Sequence, residues 1–340
     1  MTGEPEEQPG NPMPNDPLNL DGTPAPPSEP DPERADPAGN GQLPFAHDHQ
    51  QYLQQDTSYF LKQYIAPPPP PKERIPNMGH VVILGLLAIC ALFCASVVAR
   101  IGVHYHLFGV TNLQQAATEI HFTLGTEGVF YILTFAGALL VFPIVWRKGF
   151  LTGLQWRAGI ALHRFGYLLA AAAACFALAM VSGMLMPGPT DAPIDKIFRI
   201  PGAAWVLFGF GVTFAPFFEE MAFRGFLLPA FCTAFDWVAE KTHDEPPHSL
   251  DAYDHPRWSI PAMAVASVLT SVLFAAMHAD QTGHSIGPFL LLVCVSLVLC
   301  GVRLLLRSLA ASVVVHACYN FLLFSLMFLG TSGFKHLENM

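Results

Sequence analysis

Apolar side chains form seven long runs after residue 80, and each run has at least about the length of a membrane-spanning helix. A helix needs about 20 apolar residues to cross a hydrocarbon core about 30 Å thick. A soluble bundle would need seven helices that are apolar on every face, so the pattern predicts an all-α, polytopic transmembrane helical bundle. The runs are Val81–Ala99, Gly128–Trp146, Phe165–Met186, Gly202–Val238, Ile260–Met277, Ile286–Val302 and Ser308–Leu329.

The run from Gly202 to Val238 is too long for one simple span. At 1.5 Å per residue it would extend about 55 Å as a single helix. Pro216 lacks a backbone N–H and can divide the run into a short segment and a second helix that carries two glutamates. The sequence therefore predicts seven or eight spans.

The N-terminal part of the chain has the opposite character. Residues 1–71 contain 17 of the 30 prolines, with eleven acidic and two basic side chains, so their net charge of −9 equals that of the whole chain. Such a segment has too little apolar surface to offset the entropy of ordering. We expect a disordered acidic tail and spacer over residues 1–75, with a stiff Pro67–Pro71 stretch and a possible short surface helix within residues 45–65.

Composition narrows the class of protein further. The chain is 52% hydrophobic and 13% charged, about half the charged share of a soluble domain, and residues 72–340 are neutral. This balance offers no basic surface for nucleic acid. Lys and Arg are more frequent in the loop after the second run than in the loop before it, which predicts a multi-pass membrane protein with a cytoplasmic N-terminus. We divide the remainder into N-terminal transmembrane helices over residues 76–200 and a second helical core over residues 201–330.

The fourth run carries charges in an otherwise apolar setting. Each ionisable residue inside a membrane costs roughly 2.5–3.5 kcal/mol and by default marks a functional site. Glu220 and Arg224 are four residues apart, so a helix brings them together as an ion pair. Glu219 projects about 100° away and has no local cation. An unpaired carboxylate in such a place suits a general base.

Two later runs supply partners for Glu219. His278 follows Phe274 by four residues at the end of the fifth run, and His316 and Asn320 lie four apart on one face of the last run. The helix with Glu219 and the helix that ends at His278 would run antiparallel if a new helix begins near Pro216. These residues are therefore expected to meet.

These residues also resemble a known family, the CPBP intramembrane proteases, which include the type II CAAX prenyl endopeptidase and bacterial Abi-type proteins. The family motifs are Glu-Glu-x-x-x-Arg, Phe-x-x-x-His and His-x-x-x-Asn/Asp on successive helices. This chain has "EEMAFR" at Glu219–Arg224, "FAAMH" at Phe274–His278 and "HACYN" at His316–Asn320, in the same order. The resemblance covers residues 200–325, and the tail and first spans lie outside it.

The resemblance implies hydrolysis of a peptide bond inside the membrane. Glu219 would activate water with help from His278, and His316 and Asn320 would stabilise the oxyanion. Glu220, Arg224 and Phe274 would support the site. The implied partners are the lipid bilayer and a membrane-bound protein or lipidated peptide substrate, with CAAX-prenylated proteins as the family default.

A zinc version of the same site stays open. Two histidines and a carboxylate with an open position would suit catalytic zinc, with Glu219, His278 and His316 as the ligands. Because Asn320 is a poor zinc ligand, the sequence favours a metal-free glutamate mechanism over a metalloprotease. The insert Glu240–Trp258 contains three histidines at spacings that fit no common zinc pattern, so we interpret it as a solvated loop.

A non-enzymatic interpretation also stays open. An immunity, regulatory or scaffold protein of the Abi type could use the same polar residues only to pack its helices. An unpaired Glu219 argues against that use. A transporter is a third possibility, but the sequence has no internal repeat with paired broken helices to support it.

Overall fold

The computed structural model describes residues 74–188, 198, 200, 202–243, 250 and 256–334. The predicted tail, its proline spacer and the short helix within residues 45–65 lie outside these residues, except for Arg74 and Ile75. The same holds for most of the insert, including two of its three histidines. The division of the chain at residues 75 and 200 stays a prediction, as does the orientation of its N-terminus.

The described residues are organised as α-helices with one 3₁₀ turn and one π-helix. The 3₁₀ turn is Leu107–Gly109 and the π-helix is Met221–Leu227. The α-helices are α1 (Met78–His104), α2 (Leu113–Ala116), α3 (Ile120–Trp146), α4 (Phe150–Gly153), α5 (Ala158–His163), α6 (Phe165–Leu185), α7 (Ala203–Val212), α8 (Phe214–Glu220), α9 (Leu228–His243), α10 (Ile260–Met277), α11 (Ile286–Leu306) and α12 (Leu309–Gly330).

Seven helical stretches in this part of the chain are long and apolar enough to cross a membrane. They are α1, α3, α6, the stretch Ala203–His243 from α7 to α9, α10, α11 and α12. The prediction of an all-α polytopic bundle is confirmed, and the described residues contain seven stretches that qualify as spans by length and composition. The 27-residue helices α1 and α3 both extend beyond the apolar runs from which they were predicted.

The surface of these helices is apolar and their interfaces are built from small residues. Phe93 and Ile144 are 72% and 79% exposed, whereas Ala138, Ala172 and Ala311 are fully buried. A surface of large apolar side chains requires lipid as its solvent. Small residues between helices let the backbones approach closely, which is how spans pack when lipid removes the hydrophobic driving force.

The helices pack in groups around a central segment. Helix α1 lies along α3, α6 packs on α11 and α12, and α10 packs between α9 and α11. The central segment consists of α8 and the π-helix. Helix α8 contacts α3, α7 and α12, and the π-helix contacts α1 and each helix from α9 to α12. Side chains from several spans therefore converge on the two glutamates at the end of α8.

The long fourth run is interrupted three residues before the expected position. The backbone leaves the α-helical pattern at Thr213 (φ −114°, ψ −69°), between α7 and α8, and Pro216 lies within α8. A proline inside a helix cannot donate to the carbonyl four residues earlier and clashes with it. That carbonyl belongs to Val212, the last residue of α7. Pro216 therefore interrupts the helix one turn before its own position. The new helix α8 carries both glutamates, as the sequence predicts.

Asp236, another charge of this run, has a structural role. Its carboxylate is fully buried and accepts hydrogen bonds from the Ser259 hydroxyl (2.6 Å) and the Ser259 N–H (3.1 Å). Ser259 in turn caps α10, because its hydroxyl accepts a hydrogen bond from the Ala262 N–H (3.2 Å). Asp236 therefore fixes where α10 begins, and the length of α10 sets the position of His278 at its other end.

Candidate active site

Glu220 and Arg224 form the buried ion pair that their spacing predicts. Arg224 Nη1 lies 2.7 Å from Glu220 Oε1, and both side chains are fully buried. Arg224 also reaches α11, where its Nη2 donates to the Ser296 hydroxyl (2.6 Å) and the Ser296 carbonyl (3.2 Å). A buried charge is tolerated only when it is paired and hydrogen-bonded, so Ser296 adds to the pairing of this arginine, whose Nε has no hydrogen-bond partner among the described residues.

Glu219 lies between the two predicted histidines. Its Oε2 is 3.9 Å from His278 Nε2 and 3.9 Å from His316 Nε2, and its side chain is 12% exposed. The structure therefore brings together three residues from three different spans. These distances exceed those of direct hydrogen bonds, which end near 3.2 Å, and are of a length that a bridging water molecule can connect.

The other ring nitrogen of each histidine is already engaged. His278 Nδ1 lies 2.8 Å from the Phe274 carbonyl, and His316 Nδ1 lies 3.0 Å from Glu220 Oε1. A carbonyl and a carboxylate can only accept, so Nδ1 of each ring carries the hydrogen. In a neutral imidazole the Nε2 atom is then an acceptor. Two such nitrogens and the Glu219 carboxylate are three acceptors, and a water molecule, with two O–H donors, can donate to two of them at a time.

The ring of Phe274 supports both histidines and the arginine. It is buried, and its centroid lies 4.7 Å from that of His278 and 5.9 Å from that of His316. The guanidinium carbon of Arg224 lies 4.6 Å from the same centroid, a cation–π contact. Phe274 therefore limits the movement of three polar side chains at once.

Asn320 lies one helical turn after His316, and its amide is directed to α7. Its Nδ2 donates to the Gly211 carbonyl at 2.7 Å, near the interruption at Thr213. The amide has a second N–H, which this bond leaves for another acceptor. The structure thus connects Asn320 to the backbone of α7, and its predicted role towards an oxyanion stays a prediction.

Two further polar groups near the site were not predicted from the sequence. Arg303 is almost fully buried in α11 and donates from Nε to the Arg224 carbonyl in the π-helix (3.1 Å) and from Nη1 to Gln155 Oε1 (2.8 Å). Glu127 lies in α3 and accepts a hydrogen bond from the Tyr131 hydroxyl (3.0 Å). Glu127 directly precedes the apolar run Gly128–Trp146, and Arg303 directly follows the run Ile286–Val302, so both lie just outside the runs. Continuing the helical pattern past these charges would have found both.

The described residues contain no formed zinc site of the kind that the alternative mechanism would need. Among the residues that the structure describes, no three His, Cys, Asp or Glu side chains are grouped so that they could hold a metal ion. The set Glu219, His278 and His316 is included in that statement. His243, the one described histidine of the insert, contacts the Ala239 carbonyl of its own helix (3.0 Å).

Comparison with known proteins identifies a family for the part of the chain that forms this site. Residues 201–322 match the family model described as type II CAAX prenyl endopeptidase Rce1-like. All three motif segments lie inside the matched range, so the resemblance noted from the sequence is confirmed. At the level of the family, the match supports a CAAX-type intramembrane endopeptidase. Neither a curated protein nor a solved structure matches the chain.

Proposed function

We propose that this chain, whose residues 201–322 match the type II CAAX prenyl endopeptidase Rce1-like family model, hydrolyses a peptide bond by a glutamate mechanism. The observation that carries the proposal is the position of Glu219 Oε2, 3.9 Å from each of two imidazole nitrogens. The Glu219 carboxylate and the His278 Nε2 nitrogen are well arranged to bind and deprotonate a water molecule, and the His316 ring lies at the same distance on the other side.

In the proposed reaction, water bound by Glu219 and His278 Nε2 attacks the carbonyl carbon of the scissile peptide bond. Glu219 takes one proton from the water as the new C–O bond forms, and the carbonyl oxygen becomes an oxyanion. Glu219 then gives that proton to the peptide nitrogen while the C–N bond breaks. The products are a carboxylic acid and an amine, so all atoms and protons of the water are accounted for.

His316 and Asn320 are the proposed oxyanion donors. His316 in its protonated form presents an Nε2–H to the site while Glu220 holds its Nδ1–H (3.0 Å). The free N–H of Asn320 is the second candidate donor. Fixed donors of this kind are worth most where water is scarce, because little reorganisation is needed as the charge develops.

The substrate is proposed to be a membrane-associated protein, with a CAAX-prenylated C-terminus as the first candidate. The family match supports this substrate class, and the apolar surface of the spans is consistent with a substrate that arrives through the bilayer. We propose that no metal takes part. The cleavage rate in the presence of a zinc chelator, measured in the experiment below, tests whether a metal takes part.

The proposal is tested with purified full-length protein in lipid vesicles and a panel of farnesylated CAAX peptides. We expect wild type to cleave at least one peptide. Glu219→Gln and His278→Ala should lower the rate about 10²- to 10⁴-fold, the usual contribution of a general base. A zinc chelator should leave the wild-type rate unchanged.

Two substitutions outside the site serve as matched controls. Glu119→Gln changes a carboxylate that precedes α3, and His284→Ala changes a histidine whose side chain is 74% exposed. Both should keep the wild-type rate. Loss of cleavage with the chelator would replace the metal-free mechanism by the zinc alternative. Absence of cleavage by folded wild-type protein across the panel would reject the prenylated substrate and favour the non-enzymatic interpretation.

A further inference from the structure

Glu127 is a carboxylate inside the second span that the proposed mechanism does not use. It lies seven residues after the start of α3, is half-buried, and accepts a hydrogen bond from the Tyr131 hydroxyl at 3.0 Å. A carboxylate at this depth is costly, and the sequence keeps it one turn from a tyrosine that can bind it. Such a group is expected to have a function.

The Tyr131 ring places this pair beside the catalytic glutamate. It stacks on Phe218, with centroids 4.9 Å apart and an angle of 17° between the rings, and on Phe210 at 6.0 Å. Phe218 immediately precedes Glu219. The hydrogen-bonded pair is therefore held against the helical turn that carries Glu219.

The pair approaches Glu219 from a different helix than the histidines do. Glu127 and Tyr131 belong to α3, which packs on α1, α7 and α8, whereas His278 and His316 come with α10 and α12. Like charges repel, and a medium poor in water screens that repulsion weakly. A negative charge on Glu127 therefore disfavours Glu219 side-chain positions near α3 and favours the position between the two imidazoles.

We propose that Glu127, held in place by the Tyr131 hydroxyl, is a positioning residue for Glu219. This inference rests on the proposed function, because it assigns to Glu127 the orientation of the proposed general base. A residue that only stabilised the fold would behave differently on substitution. Removing the Glu127 charge should relieve repulsion and make the protein more stable while making it less active.

The first test needs no substrate. Thermal unfolding is measured for purified full-length wild type, Glu127→Gln, Glu219→Gln and the double variant. Glu127 borders a cavity of about 370 Å³ between α1, α2 and α3, so an amide of the same size fits without strain. We expect each single substitution to raise Tm, and the double variant to raise it by less than the sum, because one charge alone has nothing to repel. Additive effects, or a lowered Tm for Glu127→Gln, would overturn the inference.

The second test separates positioning from binding. With a cleaved peptide, Glu127→Gln should lower kcat about tenfold and leave KM unchanged, because the base is misplaced while the substrate still binds. Glu127→Asp should recover part of kcat, and Tyr131→Phe, which keeps the stacked ring, should cause a smaller loss. Glu119→Gln at the start of the same helix is the control and should match wild type.

The results distinguish this inference from the proposed function. If wild type cleaves, Glu219→Gln is inactive and Glu127→Gln keeps full kcat, the inference fails and the proposed function stands. If wild type cleaves no peptide, the proposed function fails, and the unfolding measurements still decide whether the two carboxylates repel each other. A fall in kcat that goes together with a lowered Tm would show a structural role and reject positioning.

Discussion

The two histidines that face Glu219 are anchored by different partners. His278 donates to the Phe274 carbonyl, four residues earlier in its own chain segment, whereas His316 donates to the Glu220 carboxylate on another span. The anchor of His278 is local and uncharged. The anchor of His316 is tertiary and charged, and it is shared with Arg224. In the proposed mechanism, this difference matches two roles: His278 would act as a neutral acceptor towards water, and His316 would donate to the oxyanion.

Among the variants that separate the His278 anchor from the His316 anchor, Glu220→Gln is expected to change the unfolding free energy most. This substitution leaves Arg224 buried without its counterion, and breaking a buried pair costs about 3–5 kcal/mol of unfolding free energy. It also removes the charged anchor of His316 and leaves that of His278 untouched. Denaturant unfolding in detergent measures the effect.

The adjacent Glu219→Gln is the matched control, because Glu219 is 12% exposed and pairs with no arginine among the residues that the structure describes. It should change the unfolding free energy by less than about 1 kcal/mol. Equal losses for the two neighbouring glutamates would show that the Glu220–Arg224 pair does not stabilise the site.

Glutamine substitutions at the two histidines sharpen the comparison. Each of His278→Gln and His316→Gln should lower kcat about 10²- to 10³-fold, because each removes a ring nitrogen that faces the reacting water or oxyanion. Only His316→Gln should also lower the unfolding free energy, by about 1–2 kcal/mol, because the buried Glu220 carboxylate loses a donor. Kinetics and denaturant unfolding on the same preparations test both effects. A loss of stability for His278→Gln alone would reverse the assignment of the anchors.

The smallest effect on kcat is expected at Ser296, which bonds Arg224, the partner of the Glu220 carboxylate that anchors His316. Ser296→Ala removes the 2.6 Å hydrogen bond to Arg224 but keeps the 3.2 Å bond to the Ser296 carbonyl. We expect about 1–2 kcal/mol less stability, with kcat reduced only a few-fold. Ser271→Ala is the control, because this buried hydroxyl has a weak contact with Cys300 Sγ (3.9 Å). Identical unfolding of the two variants would mean that Ser296 does not support Arg224.

Sequence reasoning located most of the site because spacing along a helix fixes which side chains share a face. Glu220 with Arg224, and Phe274 with His278, are pairs four residues apart, and both are in contact in the structure. Glu127 and Arg303 were missed for a definite reason. The apolar runs were ended at charged residues, whereas the helices continue through them because neighbouring spans supply hydrogen bonds to those charges.

The sequence by itself determined the membrane class, seven or eight spans, and the local side-chain pairs on each helix. These features depend on periodicity and on residues less than two turns apart. Only the tertiary structure decided which helical faces meet. Glu220 and His316 are 96 residues apart, and Arg224 and Ser296 are 72 apart. Their contacts depend on small residues that let particular helices approach, and on the interruption at Thr213 that redirects the chain. No spacing rule reaches across such distances, because helix periodicity orients each face but does not choose its neighbour.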